Sequence, residues 1–261
     1  MSSQTLLTDL TAGVLTLTLN RPEVLNAFND ELAAALLEAL KKAERDEAVR
    51  CLVLTGAGKG FCAGQDLAAF REREGEASFR AHLLKTFNPI VARLRALEKP
   101  VIAQINGAAA GAGLGLALAC DLRYAAAGAK LRVAFAGIGL APDSGVSFFL
   151  PRLAGLARAY ELAVTNAPLA AEEAEKLGLV NRVFPAEALA EGVRALALQL
   201  AAGPTRAFGL TKRAMNKALT APIDEVLDYE AYLQDAAGRT ADHREGVAAF
   251  LEKRPPQFTG R

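Results

Sequence analysis

Apolar and polar residues alternate along Val14-Leu15-Thr16-Leu17-Thr18-Leu19, the two-residue period of a half-buried strand. A helical period follows. Leu32, Leu36, Leu37 and Leu40 share one face of a segment over 30–46, with Asn29 placed to cap it. Residues 51–55 and 101–105 are short, mostly apolar runs of buried-strand length, and each leads into a glycine-containing turn. Residues 121–126, 131–135 and 179–184 read as further strands. From Pro185 onward strand signals stop, and 186–202, 205–219, 223–237 and 242–252 favour helix, punctuated by Gly203-Pro204 and Pro222. The pattern predicts an α/β core over residues 1–202 and a helical C-terminal region over 203–261, with no internal repeat of fixed period.

The two glycine-containing turns carry the first hint of chemistry. Gly60-Phe61-Cys62-Ala63-Gly64-Gln65-Asp66-Leu67 and Asn106-Gly107-Ala108-Ala109-Ala110-Gly111-Ala112-Gly113 each bring bare backbone to a point where a helix should begin. Small residues let a ligand approach the main chain, and unpaired N–H groups at a helix start suit negative charge. Two such loops could hold one oxygen between two donors, as an oxyanion hole does. They could equally serve only to pack helices tightly against strands.

Composition narrows the field. The 261 residues carry 30 Lys and Arg against 29 Asp and Glu, a formal net charge of +1, which lacks the basic face of a general nucleic-acid binder. The most membrane-like stretch, 102–120, is broken by Gln104, Asn106, Gly107, Gly111, Gly113 and Gly115, and the first eleven residues lack the apolar core of a signal peptide. Cys51, Cys62 and Cys120 are odd in number and widely spaced, as expected of reduced thiols in a cytoplasmic protein. Lys59 in Gly56-Ala57-Gly58-Lys59-Gly60 is not followed by Ser or Thr, and Gly111-Ala112-Gly113-Leu114-Gly115 has the wrong glycine spacing for a dinucleotide. His82 and His243 lie near no serine elbow and read as exposed helical residues; no His, Cys and Asp cluster has metal-ligand spacing.

In order along nearly the whole chain stand Asn20-Arg21-Pro22 with Asn26-Ala27, Phe61 to Leu67, Pro100-Val101-Ile102-Ala103, Asn106-Gly107, Cys120-Asp121, Ala171-Glu172-Glu173-Ala174 and Gly178-Leu179-Val180. This series resembles the crotonase (enoyl-CoA hydratase/isomerase) superfamily. Gly64-Gln65-Asp66-Leu67, Ala141-Pro142-Asp143-Ser144-Gly145, and Arg244 to Val247 with Pro256 to Gly260 look like the family's isomerases of ring-1,2-epoxyphenylacetyl-CoA.

The resemblance implies a spiral of repeated ββα units with a helical C-terminal region that builds a homotrimer or a dimer of trimers. It implies an acyl-CoA substrate, with CoA part of that substrate and no further cofactor or metal. By position, the two oxyanion donors would be the amides of Ala63 and Ala112. The loop Ala63, Gly64, Gln65, Asp66 and Leu67 would touch the ligand, and Lys253 would approach the CoA phosphates, sometimes from a neighbouring subunit.

The family's hydratases carry two glutamates, and the matching positions here are Gly115 and Phe135. Asp143 is the only carboxylate from Lys130 to Leu150, and it stands where family isomerases carry a catalytic aspartate. One carboxylate suits a proton shuttle better than the paired groups that adding water calls for. An isomerase is expected, converting the ring epoxide to an oxepin or moving a 3-enoyl double bond to the 2-position. The alternatives are an enoyl-CoA hydratase and a non-catalytic crotonase-fold protein that binds RNA. Asp143 also has the look of a turn or cap residue, Asp66 of a turn residue, and Lys253 of a solvated helix charge.

Overall fold

In the computed structural model, which describes residues 4–71 and 78–261, the alternating run forms a hairpin with a strand hidden in the polar N-terminus. β1 (Leu6–Thr11) runs antiparallel to β2 (Val14–Leu19), Leu6 opposite Leu19 and Thr11 opposite Val14. Only Leu6 of β1 is buried, because β1 is an edge strand with most of its side chains facing water.

From there the chain repeats one move. After α1 (Asp30–Arg45), β3 (Cys51–Gly56) joins the large sheet parallel to β2, and β4 (Gly60–Cys62) starts a smaller second sheet. Among the described residues α2 (Leu67–Arg71), α3 (Phe79–Lys85) and α4 (Phe87–Ala96) follow. Then β5 (Val101–Ile105) returns to the large sheet, β6 (Ala108–Ala110) to the small one, and α5 (Ala112–Ala119) closes the unit. β7 (Leu122–Ala126), β8 (Lys130–Arg132), α6 (Val146–Ala154) and α7 (Leu156–Thr165) do the same again. β9 (Leu169–Ala170), α8 (Ala171–Lys176) and β10 (Arg182–Phe184) complete both sheets. The large sheet has the order β1-β2-β3-β5-β7-β10 and the small one β4-β6-β8-β9. This is the spiral of ββα units that the family resemblance implies.

The core lies between the large sheet and its helices. Every residue of β3 is buried, as are Leu32, Leu36 and Leu40 of α1, whose start is capped by Asn29 Oδ1 accepting from the Leu32 amide at 2.9 Å. Leu37, assigned to the same face, is only partly buried. All three cysteines are buried and unpaired, and burial pushes their thiols up to about 12. α9 (Leu189–Ala201) covers the large sheet, and α10 (Thr205–Ala218), α11 (Ile223–Gly238) and α12 (Ala241–Glu252) follow. α10 is tied back to the core by Lys212 Nζ, which donates to the Leu94 carbonyl at 2.7 Å and to Asp121 at 2.8 Å.

Two expected strands are shorter than their apolar runs. The strand expected over 131–135 stops at Arg132, because Ala134 takes φ +70° and donates its amide to Asn166 Oδ1 at 2.9 Å. The one expected over 179–184 begins only at Arg182, since the Leu179 and Val180 amides both turn back to the Ala174 carbonyl. Among the described residues, no helix is long and apolar enough to cross a membrane.

Candidate active site

The two glycine-containing loops leave neighbouring parallel strands of the small sheet, β4 and β6, and so arrive side by side. Polar side chains buried beneath fix their path. Asn26, fully buried, donates to the carbonyls of Ala57 at 2.9 Å and Gly60 at 2.8 Å, while its Oδ1 accepts from the Arg21 amide at 2.9 Å. Asn106 donates to Gly58 and Gly60 carbonyls, both at 3.1 Å, and accepts from the Gly56 amide at 3.2 Å. Gly64 has φ +96°, and a Cβ there would stand 2.8 Å from the Ala110 oxygen and 3.3 Å from the Ala112 nitrogen. The loops therefore touch, and only glycine permits it.

Together they form one wall of a largely apolar cavity of about 170 Å³. Ala63, Gly64, Gln65, Leu67, Ala112 and Asp143 all line it, so six of the eight candidate residues meet at one place. Asp66 and Lys253 are not part of the wall. Asp66 turns away to bind Arg21 Nη2 at 2.9 Å and the Ala69 amide at 3.1 Å. Lys253 caps α12 with φ +55° and is exposed.

Ala63 needs a correction of role. Its amide donates to the Leu25 carbonyl at 2.9 Å and is not open to a ligand. The pairing around it shows which amide is. Phe28 donates to the Gly64 carbonyl at 2.7 Å and accepts from the Asp66 amide at 2.9 Å, the pattern of a parallel bridge centred on Gln65. Among the described residues the Gln65 amide has no acceptor, and neither does that of Ala112, the first residue of α5.

Asp143 precedes α6 and is the one carboxylate among the described residues of the wall. Burial raises its pKa, against the Ser144 hydroxyl, which donates to Oδ1 at 2.7 Å, and against the positive charge available on His82. Ser144 is itself buried with φ +50°. Gly115 explains how that loop fits: a Cβ at Gly115 would run into the Ser144 carbonyl oxygen, so α5 and the Asp143 loop meet where no side chain can stand. Phe135, the other position matching a hydratase glutamate, is buried in the wall.

His82, expected as an exposed helical residue, is instead buried, because the apolar face of its helix packs against the cavity. It is 8 % exposed, lines the cavity from α3, and its Nε2 lies 2.8 Å from Gln65 Oε1. The signal was present: Phe79, His82, Leu83 and Phe87 recur at helical spacing, so the histidine sits within an apolar stripe. His243 is exposed, as expected.

Comparison with known proteins gives the family. Residues 9–261 match the family model described as enoyl-CoA hydratase/isomerase. The chain is 51% identical over 261 residues to the 1,2-epoxyphenylacetyl-CoA isomerase of Escherichia coli K12, covering 98% of each. It is 44% identical over 264 residues, the whole of both chains, to a Rhodobacter capsulatus protein described as a probable enoyl-CoA hydratase. The crystal structure of enoyl-CoA hydratase from Bacillus anthracis superposes with a TM-score of 0.92 at 34% identity, covering 99% of this chain and 100% of that one. With both the spiral and its full length matched, the chain belongs to the enoyl-CoA hydratase/isomerase family of the crotonase superfamily, enzymes acting on acyl-CoA.

Proposed function

We propose that the protein is an acyl-CoA isomerase with Asp143 as its single proton carrier, acting on ring-1,2-epoxyphenylacetyl-CoA to form the oxepin. The observation that carries this reading is the cavity wall, where Asp143 is the one carboxylate among the described residues, while at Gly115 a side chain would run into Ser144. The amides of Gln65 and Ala112 would hold the thioester oxygen, each about 3 Å from the developing charge. Asp143 would take a proton from the carbon beside the carbonyl, leaving an enolate on that oxygen. The bond between the two epoxide carbons would break as the ring double bonds shift, opening the bicycle to the seven-membered oxepin, and Asp143 would return the same proton to the ring carbon γ to the carbonyl. No atom is gained or lost, so no water need be activated. The raised pKa of Asp143 suits a group that must both accept and return a carbon-bound proton.

The ring-epoxide substrate is favoured by the 51% identity to the Escherichia coli isomerase, and by a small, mostly apolar cavity suited to a compact ring. Movement of a double bond from the 3- to the 2-position of an enoyl-CoA would use the same groups. Exposed apolar side chains on the C-terminal helices, Ile223, Tyr232, Phe250 and Leu251 among them, support self-association as a trimer or a dimer of trimers.

The test presents the purified protein with ring-epoxide, 3-enoyl and 2-enoyl CoA esters side by side. Isomerisation of the first two with slow hydration of the third is expected. Fast hydration of the 2-enoyl ester without isomerisation would replace this reading with a hydratase, the activity in the name of the Rhodobacter capsulatus relative.

A further inference from the structure

We propose that His82 is a positioning residue whose hydrogen bond to the Gln65 side chain holds the Gln65 backbone amide in register for the thioester oxygen. The inference rests on the reading of Gln65 and Ala112 as the oxyanion donors.

The orientation of each group in this contact follows from its partners. Gln65 Nε2 lies 3.1 Å from the Phe28 carbonyl oxygen and 3.2 Å from that of Asp66. Two carbonyl acceptors require the NH2 end of the amide there, so Oε1 is the atom facing His82 at 2.8 Å, and it can only accept. His82 Nε2 must therefore carry a hydrogen. It does so both in this neutral tautomer and in the imidazolium form, so the contact survives a change of charge on the ring.

The ring itself has little freedom. It meets Phe87 edge-on with centroids 5.9 Å apart, and Phe87 meets Phe28 in the same manner at 5.2 Å. Phe28 is also the residue whose main chain pairs with Gly64 and Asp66 on either side of Gln65. The imidazole, the Gln65 side chain, the Phe28 backbone and the Phe87 ring thus form a closed circuit. The amide that faces the cavity sits within it. Without a donor on residue 82, Gln65 Oε1 would face an apolar wall unpaired, and the side chain would gain a reason to swing out. The displacement would fall on the backbone of the same residue, where a misplacement of about 1 Å can cost roughly 100-fold in rate.

The test separates carbonyl recognition from general binding. α-Proton exchange of phenylacetyl-CoA in deuterated water reads enolate formation. Affinity for S-(2-phenylethyl)-CoA, which lacks the carbonyl, reads binding of the rest of the ligand. His82→Phe should slow exchange by about 10- to 100-fold and leave the thioether affinity unchanged. His82→Gln, which can donate to the same oxygen, should restore most of the exchange rate. Gln65→Met should slow exchange to a similar degree, and combining it with His82→Phe should add little, because both remove one contact. Exchange at the wild-type rate in His82→Phe would overturn the proposal, as would a parallel loss of thioether affinity or a His82→Gln protein as slow as His82→Phe. Should the wild-type protein bind phenylacetyl-CoA no better than the thioether, the oxyanion assignment itself falls, whatever His82 does.

Discussion

Asp66, at the end of the first glycine-containing loop, has both carboxylate oxygens engaged: Oδ2 by Arg21 and Oδ1 by the Ala69 amide. Its side chain is only 12% exposed, and burial alone would raise its pKa, but those donors outweigh burial and hold it below the ordinary carboxylate value. Arg21 also donates to the Ala27 carbonyl at 2.6 Å, so the ion pair staples the motif around Asn26 to the loop. Asp143 is also partly enclosed, yet among the described residues no cation forms an ion pair with it, and its pKa moves the other way. The same side chain is a fastener in one loop and, under the proposed function, a proton carrier in the other. What separates them is the set of donors that meets the oxygens, since both are shielded from water.

Asp143→Asn should have the largest effect. Loss of a general base typically costs about 100- to 10,000-fold in rate, read as α-proton exchange, while acyl-CoA binding measured by titration persists. The variant should also be more stable at neutral pH. With a raised folded pKa, the native protein keeps its proton on Asp143 to higher pH than the unfolded chain does, so stability falls as pH rises through that window. Calorimetry against pH would show that slope vanish. Should Asp143→Asn exchange the α-proton at the wild-type rate, the contrast between the two aspartates is wrong.

Asp66→Asn should do the reverse, costing about 1 to 2 kcal/mol of stability and leaving turnover of the folded enzyme close to that of wild type. The depressed pKa stabilises the fold above the unfolded carboxylate value and loses that contribution as pH falls. The variant should accordingly match wild type in strong acid and differ most near neutrality. A large fall in kcat with an unchanged melting temperature would place Asp66 in the chemistry after all.

Ser144→Ala should have the smallest effect. Its hydroxyl stabilises the charged form of Asp143, so removing it lets burial push the carboxylate further up. The acid limb of kcat/KM should move toward neutral pH, with less than about a tenfold change at the alkaline plateau. An unmoved limb would mean that Ser144 does not tune the base.

Where apolar runs span a full strand or helix, the sequence and the fold agree. Val14–Leu19 and Val101–Ile105 have the expected ends, and Asn29 caps α1 as its position suggests. Most of the small sheet was not legible: Lys130–Arg132 overlaps an expected strand, whereas Gly60–Cys62 and Ala108–Ala110, three residues each, are too short to show a period. β1 stayed hidden because an edge strand with one buried residue looks like a polar terminus. Helices α4 and α6 contain Pro89 and Pro151, which break the pattern that a helix search follows. The residues that meet at the candidate site, the two loops and Asp143, were legible. The choice between the Ala63 and Gln65 amides was not, because it depends on which N–H the neighbouring chain at Leu25 and Phe28 consumes. His82 was read as exposed for a similar reason, as one of its contacts, Gln65, lies 17 positions away in the chain.

The side-by-side strands β4 and β6 also act as a gauge. Parallel strands lie about 4.8 Å apart. Two donors that each sit about 2.9 Å from one oxygen, spread by a near-tetrahedral angle, need to be separated by almost that distance. Gln65 follows β4 by three residues and Ala112 follows β6 by two. The backbone's own hydrogen-bond spacing can thus set the width of the opening without any side chain measuring it. A fold that winds successive strands beside one another in this way is ready-made to grip a carbonyl, whatever acyl group lies beyond it.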